Sequence, residues 1–256
     1  MPVTGEAGDS EITVLEKFVV LEGLDGAGTT TQLKLLDRRM AAEGIPHFCT
    51  GEPTPGAIGR QIRSILKREV RVDPRTVALL FAADRNEHLY HPEVGILAHL
   101  QRGEVVISDR YLFSSLAYQS VECPFDYVRE LNRPFPLPKL VLFVDTPVAV
   151  SQERLGRRAA GPPSPAAPSP AAPSPGRMSP EGAESSAAQA PGAGPGAVRS
   201  GELFDAAELQ PCILELYGRA FSLFEGSGMR VARLDGSSSV EELFDNIWKT
   251  LASLPI

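Results

Sequence analysis

The stretch that most constrains this chain is FVVLEGLDGAGTTT, Phe18 to Thr31. An apolar run (Phe18, Val19, Val20, Leu21) stops at Glu22-Gly23, a glycine-rich turn follows, and Thr30 to Ala42 reads as a helix. Strand, loop and helix then carry the spacing Gly23-x-x-x-x-Gly28-x-Thr30, which is the P-loop pattern except that Thr29 stands where that pattern has lysine. Glycines let the backbone approach a ligand closely, successive N–H groups point inward, and the helix start adds its positive dipole end. Gly23, Asp25, Gly26, Ala27, Gly28, Thr29, Thr30 and Thr31 are therefore expected to cradle phosphates, with the Thr30 hydroxyl placed to ligate Mg²⁺. The missing lysine removes a charge but not the cradle. A plain strand-to-helix connection would also contain such glycines.

Further elements alternate along the chain. A short strand ends in CTGEPT (Cys49 to Thr54), and Ile58, Ile62, Ile65 and Leu66 recur at helical spacing. Asp73-Pro74 is a helix start, with the helix running to about Tyr90, and His91-Pro92 opens another that ends at Gly103. Val105 to Ser108 is a strand closing on Asp109-Arg110-Tyr111, and Ser114 to Gln119 opens a helix. Lys139 to Val144 is a continuous apolar run of the kind buried on both faces of a sheet, followed by a helix from Pro147 to Arg158. Leu203 onward is helical, Met229 to Leu234 is a last strand and Val240 to Leu251 a last helix. This alternation predicts an α/β fold, a P-loop NTPase-type three-layer sandwich with a five-stranded parallel sheet and helices on both faces. Right-handed crossovers would bring the P-loop, Glu52 and Asp109 to one crevice at the carboxyl edge.

Composition limits the alternatives. A net charge of −7 argues against a nucleic-acid polymer or an anionic membrane as partner. Cys49, Cys123 and Cys212 have no metal-ligand spacing and read as reduced thiols of a cytoplasmic protein. No segment reaches bilayer-spanning length, and residues 1–14 read as a disordered tail without a signal peptide. Residues 15–256 then form one kinase-type domain whose lid region, 155–203, is interrupted at about 161–200 by a Pro/Ala/Ser/Gly-rich insertion with a PSPAA repeat. Such a tract has too little apolar area to offset its chain entropy.

LEGLDGAG, EPT-x-G, LFAADR-x-EH, DRY-x-x-SSLAYQ and ELFD, in this order, resemble the thymidylate kinases, and the archaeal-type branch most. The resemblance runs from about Phe18 to Arg158, resumes at Glu202, and implies transfer of the γ-phosphoryl of ATP to dTMP with Mg²⁺. It implies that Asp25 contacts the nucleotide sugar and helps arrange the metal, that Glu52 and Pro53 belong to the substrate site, and that Phe81 stacks on thymine while Arg85 bonds the base edge. It also implies Asp109 near Mg²⁺, Arg110 on the acceptor phosphate, Ser115 and Tyr118 around base and deoxyribose, and Phe204 with Asp205 facing sugar and metal. Arg157 and Arg158 would begin the lid and serve the transferring phosphoryl group. By resemblance, too, relatives are commonly homodimers through helices flanking the sheet. Taken singly, Phe81 reads equally as core, Arg85 and Arg110 as ion-paired arginines, Asp25 and Asp109 as helix caps, and Tyr118 as packing.

The pattern has three departures: Thr29 for lysine, Gly51 where many relatives carry a phosphate-binding arginine, and the interrupted lid, which leaves Arg157, Arg158, Arg177 and Arg199 unranked. A working dTMP kinase is the leading expectation. The alternatives are a catalytically impaired nucleotide-binding protein acting through partners, and a kinase for another nucleotide or nucleoside.

Overall fold

The structure, a computed structural model, describes residues 12–160, 203–204 and 206–254. The expected tail (except 12–14), the 161–200 insertion with Arg177 and Arg199, and Asp205 lie outside the described residues. In chain order the elements are β1 (Val14–Gly23), α1 (Thr29–Ala42), β2 (His47–Gly51), α2 (Ala57–Leu66), α3 (Pro74–Tyr90), α4 (Ile96–Gln101), β3 (Val105–Asp109), α5 (Leu112–Tyr118), α6 (Phe125–Asn132), β4 (Leu137–Asp145), α7 (Val148–Ala160), α8 (Gln210–Leu223), β5 (Arg230–Asp235) and α9 (Val240–Ala252). The strands form one all-parallel sheet in the order β2-β3-β1-β4-β5.

Period-two alternation divides the core between the two faces of this sheet. Phe18, Val20, Val106, Val141 and Phe143 pack against Leu116 of α5 and against Ile213, Tyr217 and Phe221 of α8. Val19, Leu21, Ile107, Leu140 and Leu142 pack against Leu36 and Met40 of α1 and Leu243, Ile247 and Leu251 of α9. The outer helix α9 is held at its start by a capping box between Ser239 and Glu242. No helix of the described residues is long and apolar enough to cross a membrane.

Some boundaries differ from the sequence reading for local reasons. The helix expected from His91-Pro92 begins only at Ile96, because the Gly95 N–H bonds back to the His91 carbonyl and closes a turn first. The backbones approach so closely there that a side chain on Gly95 would lie 2.5 Å from the His91 oxygen. Helix α8 begins at Gln210 rather than Leu203, with Pro211 in its first turn, where proline fits without losing a hydrogen bond. The Gln210 side chain then donates to the Phe204 carbonyl at 2.8 Å and folds the preceding turn onto the helix. Helix α6 had no counterpart in the sequence reading.

Parallel register aligns the strand ends: Leu21 and Gly51 both pair with Asp109, and Gly23 pairs with Val144. At this edge Glu22 is fully buried. Its carboxyl accepts from the Tyr111 N–H (2.9 Å), the Ser114 N–H (3.2 Å), the Ser114 hydroxyl (2.6 Å) and the Tyr217 hydroxyl (2.9 Å). One side chain thus fastens α5 and α8 to the end of β1. Burial nonetheless outweighs these donors and nearby Arg110, and pushes the Glu22 carboxyl up to about 7.

A folded-state pKa above the unfolded value of 4.5 means that the protonated form favours folding. The contribution is complete below pH 4.5, declines as pH rises, and is gone above about pH 7. Urea unfolding of the wild type against Glu22→Gln should therefore show the wild type losing on the order of 3 kcal/mol relative to the variant between pH 4.5 and 8. A pH-independent difference would contradict it.

Candidate active site at the carboxyl edge of the sheet

The turn between β1 and α1 is built for close approach. Gly26 and Gly28 have φ of +84° and +100°, a region that suits glycine. A side chain at Gly23 would press on the Val144 carbonyl at 2.9 Å. Gly28 caps α1 with no side-chain bond, and no acidic residue occupies the first turn. The first helical N–H groups, of Thr29 and Thr30, have no carbonyl one turn earlier within the helix, and with the dipole they make an anion site.

The Thr30 hydroxyl donates to Asp109 Oδ2 at 2.6 Å, while Asp109 Oδ1 is buried without a hydrogen-bond partner. A hydroxyl, an ionisable carboxyl and an unsatisfied buried oxygen form an all-oxygen donor set that fits a hard divalent cation, directly or through its water. Thr29 is buried, with its methyl 3.6 Å from the position that a Gly23 Cβ would occupy, so it packs beneath the loop. Gly51 lies so near β3 that a Cβ there would be 2.9 Å from the Asp109 carbonyl oxygen. An arginine at this position could not be accommodated without moving β3.

Beside the cradle is a pocket that brings together Asp25, Glu52, Pro53, Phe81, Arg110, Tyr118 and Phe204, all expected from sequence. Leu66, Ser114 and Gln119 complete its lining and were not expected. Arg110 is its central cation. It has φ +74°, rare for a residue with a side chain. Its guanidinium pairs with Asp25 at 2.6 Å, donates to Ser114 Oγ at 2.9 Å and lies 4.9 Å from the Tyr118 ring centroid. The Tyr118 hydroxyl accepts from the Asp25 N–H at 3.1 Å, and Phe204 meets the Tyr118 ring edge-on with centroids 5.6 Å apart. Asp25 therefore joins the phosphate loop to the pocket.

Two expected site residues stand behind the wall. Arg85 is fully buried and does not line the pocket. It donates to Glu52 Oε2 (2.6 Å), Ser115 Oγ (3.1 Å) and Asn132 Oδ1, with the rings of Tyr111 and Phe135 at 5.1 and 5.7 Å. Ser115 is likewise absent from the lining and serves as one of these partners. Burial alone would raise the Glu52 carboxyl, but Arg85 and His88 together hold it below the usual carboxylate value. His88 Nδ1 lies 3.1 Å from Glu52 Oε1, and its Nε2 lies 2.7 Å from the Thr50 hydroxyl. Nearby, Asp84 accepts from the Thr54 N–H at 2.7 Å and the Thr54 hydroxyl at 2.6 Å, securing the turn after β2.

Helix α7 lies on the phosphate loop. The Ser151 hydroxyl donates to the Asp25 carbonyl, and Arg154 donates to the Ala27 carbonyl at 3.2 Å. A Cβ on Gly26 would clash with the Ser151 carbonyl oxygen at 2.6 Å. Arg157, by contrast, is exposed and paired with Glu153 one turn earlier. Arg158 belongs to the same helix, but its side chain is outside the described residues. Sequence reasoning missed Arg154. The available signal was its i−3 spacing from Arg157 on a helix leading away from the strand-end Asp145.

Replacing Arg85 removes the guanidinium partner of buried Glu52 and leaves it facing His88. Arg85→Met should therefore cost about 3–5 kcal/mol of stability. Adding Glu52→Gln should recover part of that loss, as read by urea unfolding of the single and double variants. A loss of dTMP binding with unchanged stability would instead place Arg85 on the ligand.

Comparison with known proteins agrees with this architecture. The family model for thymidylate kinase matches residues 21–162. A protein of Treponema pallidum named "Putative thymidylate kinase" is 45% identical over 147 residues, covering 57% of this chain and 70% of its own length. Proteins named "Probable thymidylate kinase" from Pyrococcus abyssi and Thermococcus gammatolerans are 44% and 42% identical, covering 55% and 56% of this chain and 70% and 71% of their own lengths. From strand β1 through helix α7 the match takes in both the phosphate loop and most of the pocket, and the chain belongs to the thymidylate kinase family.

Proposed function

We propose that this chain transfers the γ-phosphoryl group of ATP to dTMP, giving ADP and dTDP. The observation that carries the proposal is the shared crevice: an uncapped, glycine-lined helix start and an arginine-centred aromatic pocket meet through the Asp25–Arg110 pair. The loop from Gly23 to Thr31 holds the donor phosphates through its backbone N–H groups. Arg110, fixed by Asp25 and Ser114, receives the acceptor phosphate with its planar fork. Phe81 offers a face for the base, and Tyr118 with Phe204 closes the pocket around the sugar.

Thr30 and Asp109 are the residues that would hold Mg²⁺. When bound, the ion neutralises charge that builds on the phosphate oxygens. Phosphoryl transfer depends mainly on positioning and cationic stabilisation, so the loss of the loop lysine calls for another positive group. Arg154 is that group in this reading. Its guanidinium already rests on the loop at Ala27, whereas Thr29 is buried and uncharged.

A coupled assay of ADP release with ATP, Mg²⁺ and dTMP tests the proposal. Turnover should favour dTMP over dUMP, dCMP, dGMP and thymidine. Arg154→Met should lower kcat by about a hundredfold or more, in line with other arginines that stabilise the transferring phosphoryl group. Arg157→Met, at an exposed ion pair, should change it by less than about threefold. Background turnover by folded protein that still binds dTMP would favour a second reading, nucleotide binding without catalysis, for which Thr29 is the specific observation.

A further inference from the structure

Away from the crevice, three side chains of different chemistry converge between helix α1 and edge strand β2. Asp37 lies two turns beyond Thr30 on α1, and His47 and Cys49, two residues apart, share one face of β2. One ligand atom from each residue lies within 4.8 Å of the others. Asp37 Oδ1 is 3.3 Å from His47 Nε2. The opposite ring nitrogen, Nδ1, is 2.7 Å from the Ile45 carbonyl oxygen. An N–H at Nδ1 donating to that carbonyl leaves the Nε2 lone pair directed at the cluster, the backing that metal-bound histidines commonly have. Asp37 is exposed while His47 and Cys49 are half-buried, so the site is anchored inside and open on one side. None of the three lines the nucleotide pocket.

The geometry points to a second cation site: Asp37, His47 and Cys49 bind Zn²⁺, with the fourth position open to water. The ligand types decide the metal. Thiolate and imidazole suit the borderline-soft Zn²⁺ and disfavour Mg²⁺, which takes oxygen ligands. Three protein ligands with one open position is a common zinc arrangement. A local polar cluster, in which Asp37 pairs with His47 and also interacts with the Cys49 thiol, would account for these contacts, but it has no need of a ring whose second nitrogen is backed by a carbonyl. An occupied site would tie the sheet's edge strand to the helix that begins at the phosphate loop. Strand β2 continues directly into Gly51 and Glu52, so the bound ion would also brace one wall of the pocket. Binding through a thiolate displaces the thiol proton, so loading should strengthen with rising pH.

Co²⁺ is the probe, titrated into the full chain after chelator treatment and removal of the chelator. The expected result is a thiolate-to-cobalt charge-transfer band that saturates at one equivalent per chain and that one equivalent of Zn²⁺ abolishes. Cys49→Ser should lose the band. Asp37→Asn, at an exposed position that leaves folding intact, should weaken binding about tenfold or more, a loss of the size seen when metal-site partners are removed. The double variant Cys123→Ser/Cys212→Ser should keep the band. An all-oxygen site at Thr30 and Asp109 cannot produce it, so the two sites are read separately. Absence of a charge-transfer band with folded wild-type protein, or the same band and affinity in Asp37→Asn, would overturn the assignment.

Discussion

The crevice depends first on a carboxyl group that touches no substrate. Glu22 sits at the last buried turn of β1, immediately before the phosphate loop, and takes hydrogen bonds from the backbone and side chain of α5 and from the Tyr217 hydroxyl on α8. Removing a carboxyl from water is costly unless donors replace the lost hydration. Here four donors, from Tyr111 just ahead of α5, from Ser114 within it and from Tyr217 on α8, offset part of that cost. The same bonds set the distance of those helices from the strand end. Ser114 bonds Glu22 with its hydroxyl and also receives Arg110, so the buried carboxyl and the pocket cation are positioned by one side chain. A shift in any of these groups would move the pocket against the loop.

Around this anchor the backbone is packed to a tolerance that side chains could not meet. Gly23 against Val144, Gly51 against Asp109 and Gly26 against Ser151 are contacts where a Cβ would fall within 3 Å of a carbonyl oxygen. Such density brings strand ends and loop N–H groups close enough to act on one ligand. It also bears on Gly51 and Thr29, the two positions where arginine and lysine were expected. With β2 pressed against Asp109, Gly51 has no room for an arginine side chain, and with Thr29 packed under the loop, the guanidinium resting on the loop is that of Arg154 from α7. Arg110 and Arg154 bring guanidinium groups to the crevice.

A similar division separates contact from support within the pocket. Phe81, Arg110 and Tyr118 face the cavity, while Arg85, His88 and Asn132 stand behind Glu52 and fix it as a charged group in a dry wall. A buried ion pair of this kind adds little net stability over an apolar substitute but strongly penalises any change to one partner. It therefore acts on geometry, keeping the Glu52 and Pro53 side of the pocket in one conformation.

How much of this was legible beforehand follows from the range of the interactions. Apolar runs, glycine spacing and strand-to-helix alternation are local, and they determined the parallel α/β sandwich, the phosphate loop and its meeting with Glu52 and Asp109, whereas most of the pocket lining was expected only from the family resemblance. Helix starts at Ile96 and Gln210 were misjudged because a single backbone bond to His91 and a proline in the first turn outweigh hydrophobic period. The Glu22–Tyr217 bond joins residues 195 positions apart, and the Arg154–Ala27 bond joins residues 127 apart. No pattern within a window of sequence holds both partners of either bond. Nor could Asp37, His47 and Cys49 be grouped by spacing, since one stands on a helix and two on a strand. The sequence by itself determined which residue types would reach the carboxyl edge. Only the tertiary structure decided which of them meet the ligand and which hold others in place, because that depends on how closely separate elements approach once packed.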